Sequence, residues 1–254
     1  MVAMTTKIDE ASALFFRNQL REARAQALRD AEDFHALLFT FERLGAYLRG
    51  GTGRGFGAYK EAILQLVAPN VDGTATPQTD FEPQHLLELV RIARNDALHQ
   101  GASARHLTIN AIRIALLLED ALMNQVIPQL VRHFMVANPT CAELWQPLGV
   151  VRHSMLANSF SYLPIKDERG NWMLLSDYSV ARFIRGPDRT KRLDMSVGEA
   201  LKLNLELKLD KPVAVDVDQE VPKLLEKPFN GLPFLVLEAG GARLAGILTA
   251  FDLL

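Results

Sequence analysis

Between Asp9 and Arg49 apolar side chains return at intervals of three and four, as at Leu14, Leu37, Phe41, Leu44 and Leu48. The stretch has no proline and a single glycine, Gly45. That spacing lines one face of a helix and predicts two helices, or one long bent one. Arg49 to Gly57 (R-G-G-T-G-R-G-F-G) ends the pattern, because each glycine costs about 1 kcal/mol inside a helix. A short helix is predicted over Ala58 to Ala68, stopped by Pro69, and a loop over Asn70 to Asp80. Pro83 suits the first turn of the next helix, which runs to about His99 and ends near Gly101. Ser103 is placed to cap the last helix. That helix buries Leu107, Ile114, Leu118, Leu122 and Val126 and bends at Pro128. Four or five such helices make a bundle, over residues 1–136.

After Asn138-Pro139 the period changes. Strands are predicted at Ser161 to Ile165, Asn171 to Leu175, Val213 to Val217, Leu232 to Leu237 and Arg243 to Leu248. An internal repeat joins them. Leu163-Pro164-Ile165, a turn at Gly170, Leu174-Leu175-Ser176 and a helix are matched by a second passage: Leu232-Pro233-Phe234, a turn at Gly240-Gly241, Ile247-Leu248-Thr249 and a helix start. The offset is 69 residues at the prolines and 73 at the hydroxyl residues. Repeated units of this kind pack together to bury a shared core. The fold class is therefore α+β: an all-α bundle, then an α/β tandem module over 139–254. Its first repeat is 139–186, its linker 187–210 and its second repeat 211–254.

The 254 residues suffice for two domains, and 48% apolar with 23% charged residues is globular composition. No run approaches the ~20 uncharged apolar residues of a membrane span. The nearest, Leu107 to Leu118, contains Arg113. A single cysteine, Cys141, excludes an intramolecular disulfide, and the N-terminus shows no basic-then-apolar leader, so a cytoplasmic protein is expected. Residues 1–135 and the remainder each hold 14 basic and 15 acidic residues. A general nucleic-acid coat would show a basic excess, so any RNA contact must be a local patch.

Two places can carry chemistry. The second repeat ends Gly246-Ile-Leu-Thr-Ala-Phe-Asp252. A strand that delivers Thr249 to a helix start suits a phosphate, and Asp252 can accept from both hydroxyls of a ribose. The same two residues can also simply cap the turn. These residues resemble the G-h-h-T-x-x-D ending of CBS domains, h being apolar. Val213-Ala-Val-Asp-Val-Asp-Gln-Glu-Val221 with Lys223-Leu-Leu resembles their strand-to-helix entry. The resemblance covers about 139–254 and implies a pseudo-twofold pair binding an adenosine nucleotide (AMP, ADP or ATP) through Gly246, Thr249 and Asp252. In the first repeat Met173 stands at the glycine position and Ser179 at the aspartate position, with Asp177 as a possible neighbour substitute, so one working site is expected. A helix of this family usually runs another turn beyond Phe251-Asp-Leu-Leu254.

The other place is Arg94-Asn-Asp-Ala-Leu-His99. At about 100° per residue Asn95 and His99 share a helix face, about 40° apart, and the long Arg94 side chain can curl back to them. A histidine can move protons to and from a 2′-hydroxyl, and an arginine can hold the phosphate. The spacing resembles the R-x4-6-H motif of HEPN domains, over about residues 9–136. It implies a homodimer whose copies of Arg94, Asn95 and His99 share one cleft, and a metal-independent endoribonuclease of the toxin or phage-defence kind. The alternative is a non-catalytic nucleotide sensor whose helical half dimerises or grips RNA or protein.

Other features are set aside. The glycine loop lacks G-x-x-x-x-G-K-[ST] spacing, which excludes a P-loop. His85, His99 and His106 lack metal-ligand spacing, so no metal is expected, and no cofactor is needed for catalysis. Trp145 and Trp172 are read as core.

Overall fold

The computed structural model describes residues 8–52, 56–68, 82–97, 104–203, 206–226, 229–238, 241 and 243–254. Its contacts divide the chain into two units, Met1–Ile127 and Pro128–Leu254.

Among the described residues the first unit holds five α-helices: α1 (Glu10–Arg29), α2 (His35–Leu48), α3 (Phe56–Val67), α4 (Pro83–Ala97) and α5 (Ala104–Met123). Asp9 starts α1 by accepting from the Ser12 N–H at 2.9 Å and the Ser12 hydroxyl at 2.7 Å. With the Tyr47 hydroxyl as a third donor, these bonds hold the Asp9 carboxyl at about 2. The stretch from Asp9 to Arg49 is two helices with a break: Asp30 is extended, and a single 3-10 turn over Ala31–Phe34 redirects the chain. Gly50 and Gly51, at φ +60° and +79°, end α2 in a conformation that side chains resist. Gly45 has a different reason, since a Cβ there would lie 2.3 Å from the Cβ of Tyr59 on α3.

Helix α5 packs on α1 and α4, and α2 on α1 and α3. Leu37, Phe41, Leu44, Leu48, Leu107, Ile114, Leu118, Leu122 and Val126 are all buried, as the spacing predicts. The bend expected at Pro128 is absent, because α5 already ends at Met123 and Pro128 lies in the turn that opens the second unit. Charged groups enter this core at Arg17 on α1 and at Glu119. Glu119 on α5 takes a two-pronged bond from Arg24 on α1, at 2.9 and 3.0 Å, with Arg21 at 3.6 Å.

Among its described residues the second unit has two sheets. Its elements are α6 (Val131–Phe134), β1 (Val136–Ala137), α7 (Leu148–Asn158), β2 (Tyr162–Lys166), β3 (Trp172–Ser176), α8 (Asp177–Ile184), α9 (Arg189–Asp194), α10 (Val197–Lys202), β4 (Leu209–Asp210), β5 (Ala214–Asp216), α11 (Val221–Leu225), β6 (Phe234–Leu237), β7 (Leu244–Leu248) and a final 3-10 turn, Ala250–Leu253. One sheet runs β1-β7-β6-β5 and the other β2-β3-β4. They follow one plan. Each centres on an antiparallel hairpin, flanked on its second strand by an antiparallel edge (β1 on β7, β4 on β3) and on its first by a parallel neighbour (β5 on β6, Ala142 beside Ile165).

The edges are exchanged between repeats. β1 precedes the first repeat and joins the second repeat's sheet, while β4 closes the linker and joins the first's. Residues 128–136, read from the sequence with the helical half, thus lie with the second unit. The stretch 187–210 is not bare linker, since it carries α9, α10 and β4. The Leu-Pro match also slips. With Ser176 set on Thr249, the ladder pairs Ser176 with Tyr162, whereas extending the β6–β7 register puts Pro233 opposite Thr249. Tyr162, not Pro164, is therefore the counterpart of Pro233.

Alternation sorts the faces. Leu163, Ile165 and Leu175 enter one apolar core with Val151 and Phe183, and Phe234, Val236 and Leu248 enter another with Val131 and Leu224. The opposite faces hold Tyr162, Pro164 and Lys166 on β2, and Ile247 followed by Thr249 on β7. Trp145 corrects the sequence reading, being 72% exposed, and Trp172 is half-buried.

Candidate functional site

β7 lies between β1 and β6 and so fixes the point where Thr249 leaves the sheet. Thr249 is extended, at φ −109° and ψ 167°, and the chain then turns through Ala250–Leu253. Asp252 closes that turn. Its Oδ2 accepts from the Thr249 N–H at 2.8 Å and from the Thr249 hydroxyl at 2.7 Å. In the structure as it stands the pair is a cap, with a four-residue 3-10 turn in place of the expected helix.

The same pair edges a cleft of about 610 Å³, within the range of small-ligand sites. The first repeat contributes Phe160, Tyr162 and Pro164, and the second contributes Pro233, Ile247, Phe251, Thr249 and Asp252. Val136, Asn138, Pro139 and Thr140, on the segment that crosses between the sheets, complete one wall with Ser159 and Ser161 nearby. The cleft thus joins an apolar, aromatic wall to a cluster of hydroxyls and one carboxylate. Asp252 is the only charged side chain among the described residues that line it.

Gly246 takes a different place. It pairs with Ala137 and Val236 on the face away from the cleft, where a Cβ would lie 2.6 Å from the Met135 sulfur and 2.9 Å from the Val136 carbonyl. Its lack of a side chain lets β1 and α6 close on β7.

The first repeat is built differently at the matching positions. Ser176, buried, accepts from the Ser179 N–H at 3.3 Å to start α8. The Ser179 hydroxyl donates to the Lys208 carbonyl at 2.9 Å and accepts from the Lys208 N–H at 2.8 Å. That reciprocal bond ties the chain just ahead of β4 to α8. Asp177 follows Ser176 as the first residue of α8, is exposed, and is not among the residues that line the Thr249–Asp252 cleft.

A second cleft of about 350 Å³ borders the same crossing segment and shares Asn138 and Pro139 with the first. Lys166, Trp172, Cys141, Arg243 and Leu244 line the rest. Burial is the main cause pushing the Cys141 thiol up, with Glu143 adding to it and Lys166 opposing. That thiol is a sluggish nucleophile at neutral pH.

Arg94 and Asn95 fall on the last turn of α4, next to the α4–α5 junction. His99, Gly101 and Ser103 lie outside the described residues, as do Gly53, Asn70 to Asp80 and Gly240. Among the described residues no three His, Cys, Asp or Glu side chains are grouped to hold a metal ion, and no helix is long and apolar enough to cross a membrane.

Thr249 and Asp252, singled out in the sequence, edge the cleft, and Phe160, Tyr162 and Asn138, which were not, line it as well. For Tyr162 a signal existed, since it shares its strand face with Pro164 and Lys166 by simple alternation. Asn138, at φ +50°, carried no such signal beyond its place before Pro139.

No family model matches the chain, and no curated protein does. Solved structures of CBS-domain proteins are similar to it over about half its length. A CBS domain-containing protein from Bacillus anthracis is 19% identical, covering 48% of this chain and 88% of its own, at a TM-score of 0.39. One from Agrobacterium tumefaciens is 18% identical, covering 50% and 92%, at 0.38. CBSX2, solved in complex with AMP, is 21% identical, covering 49% and 92%, at 0.36.

Proposed function

We propose that the second unit is a sensor for an adenosine nucleotide and that the ligand regulates the helical unit. One observation carries this reading: a cleft of about 610 Å³ that sets a carboxylate and several hydroxyls against an aromatic and apolar wall. A purine has a flat apolar face for Tyr162, Phe160 and Ile247, and a ribose diol has two donors for Asp252. Both bonds from Thr249 fall on Oδ2, so the carboxylate that caps the final turn keeps further acceptor sites for the diol. Ligand and final turn are thereby held by one side chain. Regulation follows only if two conformations of the turn bind the ligand with different affinity.

The expected result is a rise in melting temperature. A nucleotide at 100 times its Kd adds about 2.7 kcal/mol, roughly 10 °C for a unit of this size. A midpoint unmoved by millimolar AMP, ADP and ATP overturns the sensor reading.

A second reading concerns the first unit. We propose that Arg94, Asn95 and His99 form a metal-independent endoribonuclease site, with Arg94 on the phosphate, His99 as general acid or base and Asn95 positioning them. It is supported by the place of Arg94 and Asn95 at the end of α4, on which α5 packs. A shared cleft needs two copies related by a twofold axis, so light scattering is expected to return the mass of a homodimer, and a monomer at micromolar concentration contradicts it. If RNA stays intact, the first unit is the binding or dimerising partner of the sensor.

A further inference from the structure

The large cleft fits a nucleoside better than it fits a phosphate chain. Among its described lining residues the one formal charge is the Asp252 carboxylate, which repels phosphate. Cations stand further along the same strands. On β2, Tyr162 and Pro164 line the large cleft and Lys166, on the same face, lines the small one. Two residues of strand separate Pro164 from Lys166, roughly 6.6 Å. On the other side Ile247 lines the large cleft, and Leu244 and Arg243, back along β7 and its approach, line the small one. The segment Asn138–Pro139 borders both. It is anchored by the Asn138 N–H on the Ala245 carbonyl at 3.1 Å and, four residues on, by the Ala142 N–H on the Pro164 carbonyl at 2.8 Å.

Trp172 lines the small cleft beside Lys166. The Lys166 ammonium sits 4.9 Å from the centre of the Trp172 ring, which holds it at the mouth. Arg243 is exposed and pairs with Glu238 at 3.5 Å, a surface contact that an incoming phosphate can displace.

We propose that the ligand is an adenosine polyphosphate. Its nucleoside occupies the Thr249–Asp252 cleft, and its phosphate chain passes along Asn138–Pro139 to Lys166 and Arg243. This rests on the sensor reading and narrows its ligand class, because a nucleoside or a monophosphate gains little from cations placed in the second cleft.

The test titrates adenosine, AMP, ADP and ATP against the full chain without divalent ions, as wild type, as Lys166→Ala/Arg243→Ala and as Asp252→Ala, with circular dichroism on each. For the wild type, affinity is expected to rise at least ~10-fold from adenosine to ATP. Loss of both cations is expected to weaken ATP roughly 20-fold at low salt and to leave adenosine unchanged. Cys141, the chain's single cysteine, gives a second readout. ATP is expected to slow its alkylation several-fold, and adenosine to leave it unchanged. Equal affinity for adenosine and ATP, or an ATP preference that survives the double substitution, overturns the proposal. In that case the sensor reading stands if Asp252→Ala still abolishes adenosine binding. Pyrophosphate that binds at Lys166 and Arg243 without competing with ATP also overturns it, since the cleft is then a separate anion site. If no ligand binds any of the three proteins, both readings fall together.

Discussion

Replacing Glu119 with alanine is expected to destabilise the helical unit by about 3 kcal/mol or more. The Glu119 side chain is 9% exposed and the Arg24 side chain 17%, so truncation strands a largely buried guanidinium that was held by two bonds at 2.9 and 3.0 Å. Removing one partner of such a pair costs about 3–5 kcal/mol, far above the 0–1 kcal/mol of a surface pair. Arg21, at 3.6 Å and 30% exposed, can turn to water and adds little. The loss is a large fraction of the ~5–15 kcal/mol that holds a typical domain together. Urea unfolding, followed separately for each unit, reads it. Substituting both partners, Arg24→Met with Glu119→Leu, is expected to recover much of the stability, because no charge is then left buried alone. A loss under 1 kcal/mol for Glu119→Ala shows that α1 and α5 are held by their apolar contacts alone.

His99→Ala is expected to slow RNA cleavage at least ~100-fold while leaving the fold intact, the contribution typical of a positioned proton carrier. His99 lies two residues before Gly101, where the sequence predicts the end of a helix. Its removal there costs about 1 kcal/mol or less, the worth of a charge at a helix terminus. Arg94→Ala is expected to be slow as well, since charge developing on the phosphate loses its partner. The proposed mechanism uses the 2′-hydroxyl as nucleophile, so EDTA is expected to leave the rate unchanged and the 5′ fragment to end in a 2′,3′-cyclic phosphate. Equal cleavage by wild type and a well-folded His99→Ala protein removes the catalytic assignment and leaves the nucleotide sensor.

Elements of three turns or more were legible because many residues vote for one period. Leu37, Phe41, Leu44 and Leu48 mark α2, and Leu107, Ile114, Leu118 and Leu122 mark α5. β1 and β4 are two residues each, too short for any alternation to show, and they are the strands that the repeats exchange. The repeat was visible, but Leu-Pro occurs twice by coincidence two residues out of register, and only the ladder shows that Tyr162 matches Pro233. Thr249 and Asp252 were legible by spacing. Gly246 was assigned to the ligand for the same reason, yet its contact is Met135 on the far face, which no local pattern encodes. The bond between Ser179 and Lys208 joins residues 29 apart and is equally hidden. Ser179 stands where the second repeat has Asp252, and its hydroxyl is bonded to the Lys208 backbone.

The central claim is that Thr249 and Asp252 bind an adenosine nucleotide, and direct calorimetric titration tests it most simply. Wild type and Asp252→Ala are each titrated with AMP, ADP and ATP, after circular dichroism confirms that losing the cap, worth about 1 kcal/mol, leaves both folded. The account predicts one nucleotide per chain for the wild type, because Ser179 is engaged with Lys208 at the matching position of the first repeat. It predicts no measurable binding for Asp252→Ala. Two nucleotides per chain, undiminished affinity in Asp252→Ala, or no heat from any of the three at millimolar concentration contradicts it.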